Sequence, residues 1–269
     1  MTELFEEIAA LKKQGRECVV VTCVEKDGSS PAAIGGKMLV TVDGYYCGTV
    51  GGGSIERVAI AKAQELLKER RCLLEKYDLG HNGGEDAKNT GMICGGYTTL
   101  FYEHISPGAH AYIFGAGHVG KAITGFLKNL NYYITVLDHR DGIFENFDGA
   151  NRMVQADYEN MLKDEGMPDG SYVIIATPSH VTDYAVLDKI YKSGWKPAYV
   201  GLLGSRKKVA NFIQRLKEEF GENLDLDNLY SPAGLDLGGD APHEIAISIL
   251  SEMQAVRYGK NGHKHMKQE

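Results

Sequence analysis

A loop thiol, two glycine-rich turns and a few acids near helix starts carry most of this chain's chemical potential. Gly115-Ala116-Gly117-His118-Val119-Gly120 fits the G-x-G-x-x-G spacing. It follows an apolar run and opens a helical one, and Asp138 closes the next apolar run. In that setting Gly115 makes the tight turn, Gly117 admits a pyrophosphate, and Gly120 lets helix and strand pack closely. The helix start at His118 offers free N–H groups and a partial positive charge to an anion. Asp138 suits a ribose 2′-OH, which favours NAD over NADP, and Arg140 nearby weakens that choice. The alternative is a turn of the same architecture with no nucleotide, because a fold does not fix a function.

Gly48-Thr49-Val50-Gly51-Gly52-Gly53-Ser54-Ile55-Glu56 is a second glycine turn. Gly51, Gly52 and Gly53 present successive bare N–H groups, an anion cradle. No Lys-Ser/Thr follows Gly53, so this is not a Walker A loop. Ser54 reads as the helix N-cap and Glu56 as a capping acid or part of the anion site. Met92-Ile93-Cys94-Gly95-Gly96 sets a thiol in a glycine loop, where nearby N–H groups lower its pKa. A Cys94 thiolate would serve as a nucleophile, a sulfur carrier or a soft-metal ligand. The bland alternative is a cysteine packed under a turn. In Gly201-Leu202-Leu203-Gly204-Ser205-Arg206-Lys207-Lys208, Ser205 caps a helix whose first residues are basic, against the helix dipole. Arg206 there suits an anionic ligand or a solvated face. His180 lies past a strand's carboxyl end and suits an acid/base role or a solvated loop. Asp183 reads as a first-turn helix acid.

The positioning elements follow from periodicity. In the first half, 3–14 and 54–70 read as helices, and 18–24, 37–42, 45–50, 72–77 and 98–104 as strands. Asp43-Gly44 is a two-residue hairpin signal. Ser106-Pro107-Gly108 is the natural linker. Beyond it, strands at 110–114, 133–137, 172–176 and 198–202 alternate with helices at 118–130, 181–193, 205–220 and 241–257. That alternation predicts a parallel sheet. The expected class is α/β: an N-terminal α/β domain (1–105), a C-terminal Rossmann-like domain (109–258) and a polar tail (259–269).

Composition bounds the function. The chain has 269 residues, 33 of them Gly, and a net charge of −7. An acidic chain without a basic block is a poor nucleic-acid binder. No apolar run is long enough for a membrane span, and the first residues lack the charge and apolar pattern of a signal peptide. A cytoplasmic location is expected, with reduced cysteines. Cys18, Cys23, Cys47 and Cys72 sit in apolar strand-like or helix-end segments and read as buried and inert. A symmetric homodimer is the base expectation.

Taken together, these segments resemble the XdhC/CoxI family, accessory proteins of molybdenum hydroxylases such as xanthine dehydrogenase. The resemblance runs from about 18 to 256. It rests on Gly28-Ser29-Ser30-Pro31, Lys37-Met38, Asp43-Gly44, the turn from Gly48 to Glu56, Met92-Ile93-Cys94-Gly95-Gly96 and the turn from Gly115 to Gly120. It continues through Asp138-His139-Arg140, the segment from Gly201 to Lys208, Gly234-Leu235-Asp236-Leu237-Gly238, and Pro242 with Glu244-Ile245-Ala246. It implies a maturation factor that binds molybdenum cofactor (molybdopterin), aids its sulfuration with a cysteine desulfurase, and delivers it to an apo-hydroxylase. It points to Cys94, Gly51, Gly52, Gly53 and Glu56 first, with Cys94 as the metal contact. Gly115, Gly117 and His118 follow as a nucleotide-type turn. One position departs: the family's usual basic residue after the Gly-Ser-x-Pro loop is Ala32 here. An anion contact from that position is then missing or supplied elsewhere, for example by Lys37. The main alternative function is an NAD(P)-dependent oxidoreductase, which lacks an evident catalytic set. The catalytic component of a xanthine dehydrogenase is disfavoured, because the cysteines do not fit an iron–sulfur pattern.

Overall fold

A computed structural model of the chain describes residues 2–28, 32–80, 88–89, 95–163, 165–204 and 206–260. The chain divides into two compact units, Met1–Pro107 and Gly108–Glu269.

The first unit opens with helix α1 (Thr2–Lys13). Its strands are β1 (Cys18–Asp27), β2 (Lys37–Thr41), β3 (Tyr46–Gly48), β4 (Leu73–Asp78), β5 (Lys88–Asn89) and β6 (Tyr97–Ile105). They form one sheet in the order β3-β2-β1-β6-β4-β5. All neighbours run antiparallel except β4 and β5. Strand alternation sends Val19, Val21, Met38 and Val40 to one face, where they join Ile55, Ala59, Ala63 and Leu66 of α2 (Gly53–Glu69). Cys18 and Leu39 lie on the other face and pack with Leu4 and Leu11 of α1. Asp43 and Gly44 do form the tip between β2 and β3, but in a wider loop. Thr41 and Tyr45 close it, with the Thr41 amide donating to Tyr45 O at 2.9 Å.

The second unit has strands β7 (Ala109–Phe114), β8 (Tyr132–Asp138), β9 (Arg152–Gln155), β10 (Tyr172–Ile175), β11 (Tyr199–Leu202) and β12 (Leu229–Tyr230). Its helices are α3 (His118–Leu127), α4 (His180–Lys192), α5 (Arg206–Phe220) and α6 (Pro242–Arg257). The sheet order is β12-β11-β10-β7-β8-β9, and every pair is parallel. This is the doubly wound order in which the chain reverses direction between β7 and β10. One face packs Ile113, Val136 and Ile174 against Ile123 of α3 and Ile249 of α6. The other packs Phe114, Val173 and Val200 against Leu187 of α4 and Phe212 of α5. Both faces are apolar, as a buried parallel sheet requires. The two edge strands escape the sequence pattern: β9 carries Arg152 and Gln155 at its ends, and β12 has only two residues.

Two glycines let the unit close. A Cβ on Gly115, whose φ is +114°, would collide with the carbonyl of Ala176 across the chain reversal. A Cβ on Gly120 would collide with the carbonyl of Gly115, pushing α3 off β7. Gly120→Ala is therefore expected to destabilise the second unit by about 1–3 kcal/mol through overpacking. Gly125→Ala, on the same helix with no atom near the added methyl, is expected to be neutral or stabilising by up to about 1 kcal/mol. Thermal melts of the two variants check the contrast, and equal destabilisation would contradict it.

Candidate functional sites at the glycine turns

Two close approaches involving glycine segments lie at one end of the first sheet. A Cβ on Gly28 would lie 2.9 Å from Gly96 Cα, and one on Gly51 would lie 2.9 Å from the Ala32 amide nitrogen. The Gly95–Gly96 corner is pinned from its other side, since Leu79 N donates to Gly96 O at 2.9 Å and Gly95 N to Leu79 O at 3.2 Å. Gly96, two residues after Cys94 in sequence, thus lies beside Gly28, and the turn before α2 backs onto Ala32. Cys94 itself, like Ser29, Ser30, Pro31 and Ser205, lies outside the described residues, and the side chain of Arg206 does too.

Glu56 is the centre of the turn before α2. Its Oε1 accepts from the amides of Gly52 (2.9 Å) and Val50 (3.2 Å) and from the hydroxyl of Thr49. Gly51 N donates to Thr49 Oγ1 at 3.2 Å. Part of the expected anion cradle therefore holds the protein's own carboxylate. The N-cap is Gly52, without a side-chain cap, and not Ser54, which lies inside α2. Glu56 takes the capping role one turn in. Ala32 is buried in the core beneath Gly51, which explains how a small residue fits after this loop. Lys37 Nζ donates to Thr22 Oγ1 at 2.9 Å on the neighbouring strand.

In the second unit, Gly115, Ala116 and Gly117 follow β7, and His118 opens α3 on the surface. Asp138 ends β8 and is fully buried. Its Oδ2 accepts from Ala116 N (2.8 Å) and from an Arg140 Nη (2.8 Å). Its Oδ1 accepts from Arg140 N (3.0 Å) and Arg140 Nε (3.0 Å). Both oxygens of the acid expected at a ribose are thus engaged within the protein. Burial pushes the Asp138 carboxyl up, but the hydrogen bonds from Arg140 and Ala116 outweigh it and hold it below the usual range.

Asp183 proves more than a dipole acid. It is buried, and its Oδ1 accepts from Thr177 N at 3.1 Å and from Thr177 Oγ1 at 2.5 Å, fixing the turn after β10. No sequence signal separates this acid from a solvated one. His180 is the exposed first residue of α4 behind the Ser179 cap. Cys18 and Cys23 are buried as expected, whereas Cys47 is half-buried and Cys72 exposed at the start of β4. Among the described residues no group of three His, Cys, Asp or Glu is placed to hold a metal ion. No helix among them is long and apolar enough to cross a membrane.

Residues 111–253 match the XdhC Rossmann domain, and residues 11–78 match the XdhC and CoxI family. The chain belongs to the XdhC/CoxI family. Among its relatives is the uncharacterized protein YqeB of Escherichia coli (strain K12), 32% identical over 267 residues, covering 98% of this chain and 48% of YqeB. A Bacillus subtilis (strain 168) protein named as a probable xanthine dehydrogenase component is 27% identical over 162 residues, 60% of this chain and 46% of that protein. The chain spans about half the length of these two relatives. The molybdenum cofactor insertion chaperone PaoD of E. coli (strain K12) is 23% identical over 276 residues, 90% of this chain and 84% of PaoD. A solved structure from Bacillus halodurans, BH1974, described as a xanthine dehydrogenase, superposes with a TM-score of 0.52 at 20% identity, covering 97% of both chains. At that identity the likeness shows the shared fold. In this XdhC/CoxI chain, the segment from Gly234 to Gly238 is anchored by Glu252, which accepts from Gly234 N (2.9 Å) and Tyr199 Oη (2.7 Å).

Removing the Asp138 carboxylate leaves a guanidinium and a buried amide without their acceptor. Asp138→Ala is expected to cost about 2–3 kcal/mol, below the ~3–5 of a fully buried pair because Arg140 is partly hydrated. The lowered pKa gives a sign in pH. The carboxylate's contribution is complete above the unfolded-state value near ~3.9 and is lost as pH falls through the folded value below it. Acid titration of wild type and variant by circular dichroism checks both, and a variant with wild-type acid sensitivity would contradict the assignment.

Proposed function

We propose that this chain is an accessory factor for a molybdenum hydroxylase such as xanthine dehydrogenase. In this reading it binds molybdenum cofactor, aids installation of the terminal sulfido ligand with a cysteine desulfurase, and passes the cofactor to the apo-hydroxylase. The chain is a maturation factor and not the catalytic component, and it acts in the cytoplasm as a homodimer.

The observation that carries the reading is the close approach of Gly96, two residues after Cys94 in sequence, to Gly28, beside that of the Gly51 turn to Ala32. The donor set suits the group: backbone amides at a helix start for a pterin phosphate, and a thiolate for a soft metal centre. When bound, the cofactor supplies the molybdenum centre that receives the sulfido ligand. The protein's residues bind and orient. Glu56 holds the Val50 and Gly52 amides, which leaves the Gly53 and Ser54 amides at the opening of α2 to meet the phosphate. Cys94 supplies the metal contact, and Gly95 and Gly96, which follow it in sequence, pair with Leu79. The relative named as a molybdenum cofactor insertion chaperone supports the same role. The second unit contributes a nucleotide site of the NAD(P) type.

Cys94→Ala is expected to lower retention of molybdenum and pterin by at least about tenfold, as loss of a metal-site residue does. Metal analysis and pterin fluorescence on the purified variant and wild type check this. Unchanged retention would remove Cys94 from the mechanism.

A further inference from the structure

Beside the turn of the second unit lies a cavity of about 280 Å³. It is walled by His139 after β8, Tyr158 after β9, and Val181, Thr182 and Ala185 from the first turns of α4. These segments follow the carboxyl ends of β8, β9 and β10, strands on both sides of the chain reversal, where open α/β sheets bind ligands. The Tyr158 hydroxyl is buried there without a hydrogen-bond partner, and His139 Nδ1, also without a hydrogen bond, lies 3.8 Å from Asp138 Oδ1. Tyr158 is only 4% exposed. An orphaned buried hydroxyl carries an uncompensated desolvation cost, and a ligand that pairs with it removes that cost. The two rings meet edge to face with centroids 5.2 Å apart, giving the cavity a π-rich wall suited to a flat heterocycle. Asp157 and Glu159 also line it, which favours a base carrying an amino group over an anionic one.

A cationic group at this end is Arg140. Asp138 is sealed within the turn, whereas the Arg140 side chain is 37% exposed. Its Nη2 lies 3.8 Å from where a Cβ on Gly117 would stand. A guanidinium carries five N–H donors, and the Asp138 carboxylate takes one at Nε and one at Nη2. The remaining donors suit a phosphate. The acid that reads a free ribose 2′-OH is occupied, and the base that reads a 2′-phosphate is presented in its place.

We propose that the second unit binds an adenine nucleotide bearing a 2′-phosphate, with the base in the His139–Tyr158 cavity and the phosphate on Arg140. This rests on the reading of the turn as a nucleotide site and is independent of the cofactor site in the first unit. The test is calorimetric titration of the full chain with NADP⁺, NAD⁺, adenosine 2′-phosphate and adenosine 5′-phosphate. The 2′-phosphorylated member of each pair is expected to bind at least about tenfold more tightly, the worth of one charge-assisted contact. Arg140→Lys keeps a charge beside Asp138 but loses the fork, and is expected to bring that ratio toward one. Tyr158→Phe is expected to weaken all four ligands several-fold while keeping the ratio. NAD⁺ binding as tightly as NADP⁺ would overturn the Arg140 assignment and leave the nucleotide site standing. Absence of saturable binding by all four would overturn the nucleotide site itself. If Arg140→Lys fails to fold, the wild-type ratio still decides.

Discussion

Bare backbone amides in a glycine turn must find acceptors, and in this protein carboxylates supply them. Glu56 takes amides of the turn before α2, and Asp138 takes Ala116. Asp183 takes Thr177, Glu252 takes Gly234, and Glu244 takes Asp240 and Ala241. Each pairing ties a loop to a helix or to a neighbouring strand's end. The excess of acids and the excess of glycines are therefore coupled. Part of the net charge of −7 belongs to groups that hold loops in shape.

That coupling shapes what each turn offers a ligand. A carboxylate inside a turn stiffens it, and it also removes amides from the anion-binding face. In the first unit the amides left for an anion shift forward to the opening of α2. In the second, the acid at the end of β8 is turned inward and Arg140 becomes the group at the surface. The same fold with the acid turned outward would present the opposite charge to a nucleotide. Fold and ligand preference are separate, and the proposed preference rests on the side-chain pairing.

Much of this is legible in the sequence. The alternation of apolar strands with amphipathic helices beyond Ser106 dictates the parallel sheet. Gly115, Gly117 and Gly120 in their strand-to-helix setting dictate the close-packed turn. The edge strands β9 and β12 are not legible, because strands at a sheet margin bury too little to show a pattern. The role of Asp183 is hidden because a dipole acid and a buried loop acceptor occupy the same place in sequence. Tyr158, in the run Asp157-Tyr158-Glu159-Asn160, has the pattern of solvated loop until β9 places it beside His139. Ser54 does not cap α2 because the helix begins earlier, at Gly53, and Glu56 takes the Gly52 and Val50 amides at its opening. Long-range meetings such as Gly28 with Gly96 depend on strand order, which local patterns do not carry.

The proposed role requires that the chain carry molybdenum cofactor. That is tested most directly by the molybdenum and pterin content of the full chain isolated from cells that make the cofactor. Stoichiometric amounts of both are predicted. Protein that carries neither, under conditions where a molybdenum hydroxylase in the same cells is loaded, would contradict the proposed role.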